Sequence, residues 1–288
     1  MPHFTKNSYF KDNAFPITIH HLSNQEDVDA HGHDFHELVI VNKGRGIHFT
    51  ETEEYWINEG DIFVIHPQRS HGYRNTEELE IVNILYFPEQ LNLSASDLRE
   101  MPGYHILFIL EPKLRNPATF HNHLSLCGEP FARVVNIVKS MEHELDYREP
   151  GFKSMVSGYF WQLAAFLARC HETSQTKPTT SDSILNISQL LSYIEQNYRQ
   201  KLNLEDMADI TGLSKHRLIK EFNQALDKTP IEYLLHTRIG KARKLLSSPD
   251  IRISEAAFKC GFSDSNYFSR QFKKITGQTP REFRYNNT

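Results

Sequence analysis

Apolar and polar residues alternate in short runs through residues 31–87. HELVIV, GIHFT, YWI, DIFVIH and EIVNILYF are rich in β-branched and aromatic side chains, and KGRG, NEG, PQRSHG and NTEE separate them. Many short period-two runs at close spacing predict a β-barrel or sandwich. Upstream, Phe15, Ile17 and Ile19 alternate and predict one edge strand. From residue 129 the period becomes helical. Phe131, Val134, Val135, Ile137, Val138, Met141 and Leu145 make one stripe; after Pro150-Gly151, Met155, Val156, Tyr159, Phe160, Leu163, Phe166 and Leu167 make another. Two helices joined by a Pro-Gly break predict an antiparallel pair laid on the strand domain. Between these regions, residues 94–126 are broken by Pro102, Pro112 and Pro117, and PGYHILFIL fits a strand or a buried helical turn equally well.

The polar run HETSQTKPTTSDS, with Pro178, predicts a linker over residues 172–183. A helix over residues 184–198 follows, with Ile187, Leu190, Leu191 and Ile194 on one face. Beyond it one pattern is written twice. LEDMADITGLSKHRLIKEFNQALDKTP is matched by ISEAAFKCGFSDSNYFSRQFKKITGQTP. Ala208 and Gly212 meet Ala257 and Gly261 at an offset of 49; Phe222 and Pro230 meet Phe272 and Pro280 at 50.

Each copy predicts a helix-turn-helix. Gly212 and Gly261 can take the positive φ of a sharp corner. Ser214 and Ser263 stand where an N-cap is needed. The second helix of each copy has a buried seam, Leu218 and Phe222, then Phe268, Phe272 and Ile275. Its remaining faces are polar or basic. Residues 231–246 carry a helical apolar rhythm and predict one helix joining the two copies. Two such helices can enter successive major grooves. His216, Arg217 and Lys220 are the candidate base readers of the first copy; Asp264, Asn266 and Arg270 are those of the second. Lys215, nearer its helix start, is a phosphate candidate. Asn suits adenine and a carboxylate suits cytosine N4, although Asp264 equally fits a helix N-terminus.

Charge sharpens this division. The 288 residues carry a net charge of −4, yet residues 184–288 hold 17 Lys and Arg against 11 Asp and Glu, +6, and residues 1–183 hold 15 against 25, −10. A basic C-terminal part suits DNA. Cys127, Cys170 and Cys260 form no CxxC pair and are expected to be small apolar fillers in a reducing compartment. The apolar runs are too short to span a bilayer, so a cytoplasmic protein without a membrane partner is expected.

The strand region carries candidate chemistry. His31-x-His33, Glu37 and Gly44, then Gly60, Pro67, His71 and Asn75, are similar to the two cupin motifs, with Pro67 one place late. Residues two apart in a strand share a face, so His31, His33 and Glu37 are expected to point together, with His71 arriving from a neighbouring strand and His36 facing away. Three roles stay open for this set. It can hold a divalent metal, bond the hydroxyls of a sugar-sized ligand with Trp56 or Tyr73 against the sugar, or only stabilise a barrel mouth.

The run SEAAFKCGFSDSNYFSRQFKKITGQTPREFR and the pattern Arg238…Ala242…Leu245-Leu246 resemble the AraC/XylS family of bacterial transcription regulators. Asp227 stands where the family usually has Gly, and Ala256 where it has a larger apolar residue. The resemblance implies an α+β chain: a cupin-like effector-binding and dimerisation domain over residues 1–171, a linker, and an all-α DNA-binding domain over residues 184–288. It implies double-stranded promoter DNA, a small-molecule effector, RNA polymerase and a second copy of the chain as partners. It implies ligand recognition by His31, His33, Glu37 and His71 without a metal or other cofactor, and no enzymatic activity. HGHDFHELVIVNKGRGIH, GDIFVIHPQRSH and NILYFPEQLNL are similar to the activators of L-rhamnose catabolism, which makes L-rhamnose a candidate inducer. The rival readings are a metal-dependent cupin enzyme acting on a sugar, with a DNA-binding tail, and a constitutive DNA-binding protein whose barrel only dimerises.

Overall fold

The computed structural model describes residues 2–287 apart from 11, 13–14, 52, 68, 92–96, 115–122, 175–181 and 249. The chain divides into two compact units, Met1–Ile184 and Leu185–Thr288. In the first unit, β1 (His3–Phe4) and α1 (Lys6–Tyr9) precede β2 (Ile17–Leu22), β3 (Val28–His33), β4 (His36–Thr50), β5 (Glu54–Asn58), β6 (Asp61–Ile65) and β7 (His71–Tyr86). With β8 (Leu124–Ser125) these form one eight-stranded sheet in which β7 and β4 are central; β2 and β3 both pair with β7, and β5 and β6 with β4.

KGRG and NTEE, expected to separate strands, instead face each other inside two long ones. Lys43 pairs with Glu80 and Arg45 with Glu77, with register shifts between these pairs. Gly44 at φ +75° and Asn75 and Glu78 at φ 52° and 47° absorb the irregularity. Turn-forming residues also serve bulges, which bend a strand without ending it. The bend is visible in the packing: Phe63 pairs with Val39, yet its ring lies 5.1 Å from that of His48, nine residues further along β4. The sheet is therefore strongly curled.

Alternation splits the core of this unit in two. Val39, Val41, Phe63, Ile65, Tyr73 and Ile81 bury one face among strand residues. Leu38, Ile40, Ile62, Val64, Val82 and Ile84 bury the other against helices. Residues of that second cluster come from a 3-10 turn (Asp97–Glu100), from α2 (Pro102–His105), from a π turn (Ile106–Leu110) leading into α3 (Glu111–Leu114), and from α4 (Gly128–Tyr147) and α5 (Phe152–Ser174). PGYHILFIL is thus helical and buried. Gly103 lets α2 approach α5: an added Cβ would lie 2.2 Å from the Ala168 carbonyl oxygen. Val134, Ile137, Val138 and Met141 of α4 and Val156, Phe160, Leu163 and Leu167 of α5 are buried as their spacing predicts, but Met155 is exposed. α5 runs past the expected boundary at residue 171: His171 is buried, and residues 172–174 are helix. Of the rest of the expected linker, residues 175–181 lie outside the described residues and 182–183 open the next helix.

The second unit begins with α6 (Asp182–Asn197), whose first turn precedes the division between the units, and continues with α7 (Leu204–Thr211), α8 (Lys215–Leu226), α9 (Pro230–Leu246), α10 (Ile253–Lys259), α11 (Ser265–Thr276) and α12 (Pro280–Asn287). Local sequence sets these boundaries. Asn203 with Asp206 and Thr229 with Glu232 form capping boxes that start α7 and α9. Ser214 accepts from the Arg217 amide to cap α8. The cap of α11 is Asp264, not Ser263 as expected, because Ser263 is the inserted residue that changes the offset from 49 to 50. Asp227 ends α8 in the left-handed conformation at φ 54°, doing the work of the expected glycine. α9 serves both copies: Tyr233 packs on Phe222 with ring centroids 5.8 Å apart, while Ile239, Ala242 and Leu246 join Ala256, Phe262, Phe268, Phe272 and Phe283. Of the cysteines, only Cys260 is a buried filler; Cys127 is exposed and Cys170 half-buried, and all three are free thiols. Among the described residues no helix is long and apolar enough to cross a membrane.

Candidate functional site

In the first unit a cavity of about 310 Å³ is lined by His31, His33, Glu37 and His71 together with Tyr9, His20, Gln25, Phe35, Tyr73, Asn83 and Leu85, among others. All four predicted residues are therefore brought together. The route differs from the expected one. His33 ends β3 and Glu37 stands second in β4, with a bend at Asp34-Phe35 between them. β3 and β4 lie on opposite sides of β7, which supplies His71. The set converges by chain reversal around a central strand, not by parity along one strand.

His33 and Glu37 are almost fully buried, with Nε2 3.0 Å from Oε2. The His71 Nε2 is 3.7 Å from the same oxygen. Nδ1 of His33 lies 2.7 Å from the Phe35 carbonyl and Nδ1 of His71 lies 3.4 Å from that of Arg69. A carbonyl can only accept, so each Nδ1 carries the hydrogen. His31 is partly exposed; its ring is 4.3 Å from that of His71, and its Nδ1 contacts the Asp29 carbonyl. Burial pushes the His71 imidazole down to about 4, against the pull of the Glu37 carboxylate, so this ring is neutral at pH 7. For Glu37 burial works to raise the carboxyl, but the neighbouring His33, His71 and His31 side chains hold it below the usual carboxylate range. Tyr73 lines the cavity as expected; Trp56 does not, being half-exposed on β5. His36 faces away, its ring against His66 and Tyr86.

Asn83 was not anticipated. Its side chain is buried and lines the cavity, and its Oδ1 lacks a hydrogen-bond partner among the described residues. The only sequence signal is a lone Asn inside the apolar run EIVNILYF. A buried polar atom of this kind is stabilised when something in the cavity bonds to it.

In the second unit Lys215, His216, Arg217 and Lys220 are exposed on α8, and Asn266 and Arg270 on α11. Lys215 is paired with Glu205 at 2.8 Å and Arg217 with Glu221 at 2.6 Å. Lys220 and Arg270 form no ion pair among the described residues. Asp264 sits at the start of α11 with one carboxylate oxygen accepting from the Tyr267 amide. Ile219 and Tyr267 are also exposed on these two helices, although a pattern of polar and basic positions does not point to them. The 17 residues of α9 span about 26 Å at the helical rise.

The comparisons with known proteins cover both units. Residues 17–129 match an AraC-like ligand binding domain and residues 207–286 a helix-turn-helix domain. The HTH-type transcriptional activator RhaR of Escherichia coli (strain K12) is 30% identical over 283 residues, covering 98% of this chain and 96% of that one. The chain belongs to the AraC family of transcription regulators. It is accordingly a DNA-binding regulator with a ligand-binding domain, in a non-enzymatic family, and its overall class is α+β. The RhaR of Shigella flexneri matches to the same extent. Among solved structures, a regulator with an AraC-type DNA-binding domain from Chromobacterium violaceum is 31% identical over 36% of this chain and 92% of its own, with a TM-score of 0.34. The C-terminal domain of AraT, a response regulator from Geobacillus stearothermophilus, is 29% identical over 39% of this chain and 88% of its own, also with a TM-score of 0.34.

Proposed function

We propose that this AraC-family regulator is an activator of sugar catabolic genes whose effector, with L-rhamnose the first candidate, occupies the 310 Å³ cavity. The observation that carries the reading is the composition of that cavity. Imidazoles, a carboxylate and an amide oxygen with no hydrogen-bond partner among the described residues line it, together with aromatic and aliphatic side chains. A small polar ligand with several hydroxyls suits this mixture, and the volume lies at the lower end of small-molecule sites. The near-full-length similarity to proteins named RhaR supports the choice of sugar.

On DNA, α8 and α11 act as the reading helices. Lys220, His216 and Arg217 face bases from the first, Asn266 and Arg270 from the second, and Lys215 holds phosphate. Phosphate contacts supply most of the sequence-independent affinity and make it fall with salt. Exposed Met155 and Trp161 on α5 leave apolar surface uncovered, which supports a homodimer. An activator of this kind works alongside RNA polymerase. Effector binding shifts the balance between two conformations only by its differential affinity for them.

The test is a footprint on the DNA upstream of the chain's own gene, with and without a panel of sugars, paired with calorimetry. Protection that changes with L-rhamnose, and a saturable heat for that sugar, are expected. A heat with another sugar and none with L-rhamnose replaces the effector; protection indifferent to every sugar overturns the ligand switch.

A further inference from the structure

We propose that Ile219 reads the C5-methyl group of a thymine when α8 lies in the major groove, the placement from the proposed function on which this contact rests. α8 buries Leu218, Phe222, Ala225 and Leu226. Of its exposed residues Ile219 alone is apolar, at 37% exposure beside Leu218 at 0%. It adjoins Lys220 and stands one helical turn from His216 on one side and Asn223 on the other, at spacings that place side chains next to each other on a helix surface. With about 3.6 residues per turn, the face that carries His216, Lys220 and Asn223 is turned away from the Leu218–Phe222 seam. Ile219 borders that face.

A single isoleucine at a protein surface is ordinary. This one is β-branched, which lowers helix propensity through lost rotamer freedom, and its exposure leaves that cost without the compensation of a core position. The second copy supplies a contrast. At the offset of 50 that joins Phe222 to Phe272, Ile219 meets Ser269, whose hydroxyl is turned back onto the Ser265 carbonyl at 2.9 Å. The two reading helices are thus unlike at equivalent places, one offering a branched hydrocarbon and the other a hydroxyl already bonded to its own helix. The major-groove edges of the base pairs present donors, acceptors and one apolar group, the thymine methyl. Lys220, His216 and Asn223 can bond base nitrogens and oxygens; on this face only Ile219 offers an apolar surface. When methyl and side chain meet, both leave water. A contact of that size is worth about three- to ten-fold in affinity.

The full-length chain is used to select a preferred duplex from random sequence. That duplex is then remade with each thymine in turn replaced by deoxyuridine, which removes the methyl and keeps every hydrogen-bonding group. Wild-type affinity should fall about three- to ten-fold at one thymine, within about two base pairs of the position at which Lys220→Ala relaxes preference. Ile219→Ala should bind the thymine duplex as weakly as the wild type binds the deoxyuridine one, and should be indifferent to the replacement. Ile219→Val, which keeps a branched methyl face, should retain most of the sensitivity. Alanine is the better helix former, and circular dichroism checks each variant's fold. A wild type indifferent to every deoxyuridine overturns the proposal. So does a sensitivity that Ile219→Ala retains in full, since the methyl would then meet another side chain and Ile219 would be an ordinary surface residue. If no sequence is enriched, or if Lys220→Ala and His216→Ala both leave base preference untouched, α8 is not the reading helix and the placement itself falls.

Discussion

Arg238 on α9 holds the chain leaving α6: its Nε donates to the Tyr198 carbonyl and its Nη2 to the Gln200 carbonyl, each at 2.7 Å. These carbonyls lie just past the end of the helix, where no intrahelical partner exists. The same guanidinium lies 5.7 Å from the ring centroid of Phe262, in the turn of the second copy. One side chain thus fixes the first helix of the unit against both the central helix and the turn of the second copy. Arg238→Ala removes two charge-assisted bonds and should destabilise the chain by about 2–4 kcal/mol in urea unfolding. Arg238→Lys should recover less than half of that, because an ammonium cannot reproduce the fork. A loss under about 0.5 kcal/mol, as at an unspecialised surface position, would show that the pair carries nothing.

The two corner glycines should respond differently to the same change. Both have positive φ, 64° at Gly212 and 83° at Gly261. An added Cβ at Gly212 meets nothing within 4 Å, whereas at Gly261 it lies 2.7 Å from the Tyr198 oxygen. Gly212→Ala should therefore show the left-handed penalty alone, about 1–2 kcal/mol. Gly261→Ala should lose clearly more, since backbone must move. Thermal unfolding of the two variants side by side reads the difference; equal losses would contradict the close approach.

The division of labour along this chain was legible where local chemistry decides structure. Gly212, Ser214 and the Leu218–Phe222 seam announce a helix-turn-helix because capping and helical spacing act within a few residues. The same logic slipped by one place at Ser263, since an insertion is visible as a change of offset but not its position. KGRG and NTEE misled for a different reason: whether Gly44 and Asn75 end a strand or bulge it depends on what lies opposite. Convergence of His33, Glu37 and His71 is a tertiary fact. The residue types suggested a site, but the passage of β3 and β4 along the two sides of β7 could not be read from spacing. Asn83 was hidden altogether, because one polar residue in an apolar strand looks like a tolerated exception until the cavity is seen.

Asn83 supplies a test of the cavity that leaves the clustered His33, Glu37 and His71 alone. Its Oδ1 is buried and lacks a partner among the described residues, so the free protein already carries that penalty. Asn83→Leu should leave stability unchanged or raised, because a buried unpaired polar atom is replaced by apolar surface. Effector affinity should fall by about 2–10-fold, the worth of one net hydrogen bond. Calorimetry and a melting curve on one preparation measure both. A variant that melts much lower yet binds normally would move Asn83 from ligand recognition to the core.

Acid should loosen the second unit through its capping boxes. The Thr229 amide and then its hydroxyl hold the Glu232 carboxyl below its ordinary 4.5, and the Thr279 amide and hydroxyl do the same for Glu282. A carboxyl depressed in the folded state contributes stability that is fully present above its unfolded value and is lost as pH falls through the folded one. Stability should thus decline below pH 4.5. Glu232→Gln with Glu282→Gln keeps a side-chain acceptor at each cap but removes the titration. The double variant should therefore show a shallower fall in urea midpoint between about pH 6 and pH 3. An acid limb as steep as that of the parent chain would assign the decline to other carboxylates.

Asp264 and Lys220 separate capping from base reading. The Asp264 carboxylate accepts from the Tyr267 amide at the start of α11, so Asp264→Asn, which keeps the acceptor, should leave both stability and operator preference nearly intact. Asp264→Ala should destabilise by about 0.5–2 kcal/mol, the usual worth of a cap. Lys220 forms no ion pair among the described residues and projects from the middle of α8. Its replacement by Ala should relax preference at one or two operator positions by about 1–3 kcal/mol of discrimination. Lys215→Ala should instead weaken all duplexes alike and reduce the salt slope by about one counterion. Binding to a library of single-base operator variants at two salt concentrations distinguishes the roles. If Asp264→Asn changed the preferred base, the carboxylate would be a reader after all; if Lys220→Ala weakened every sequence equally, that lysine would only hold the backbone.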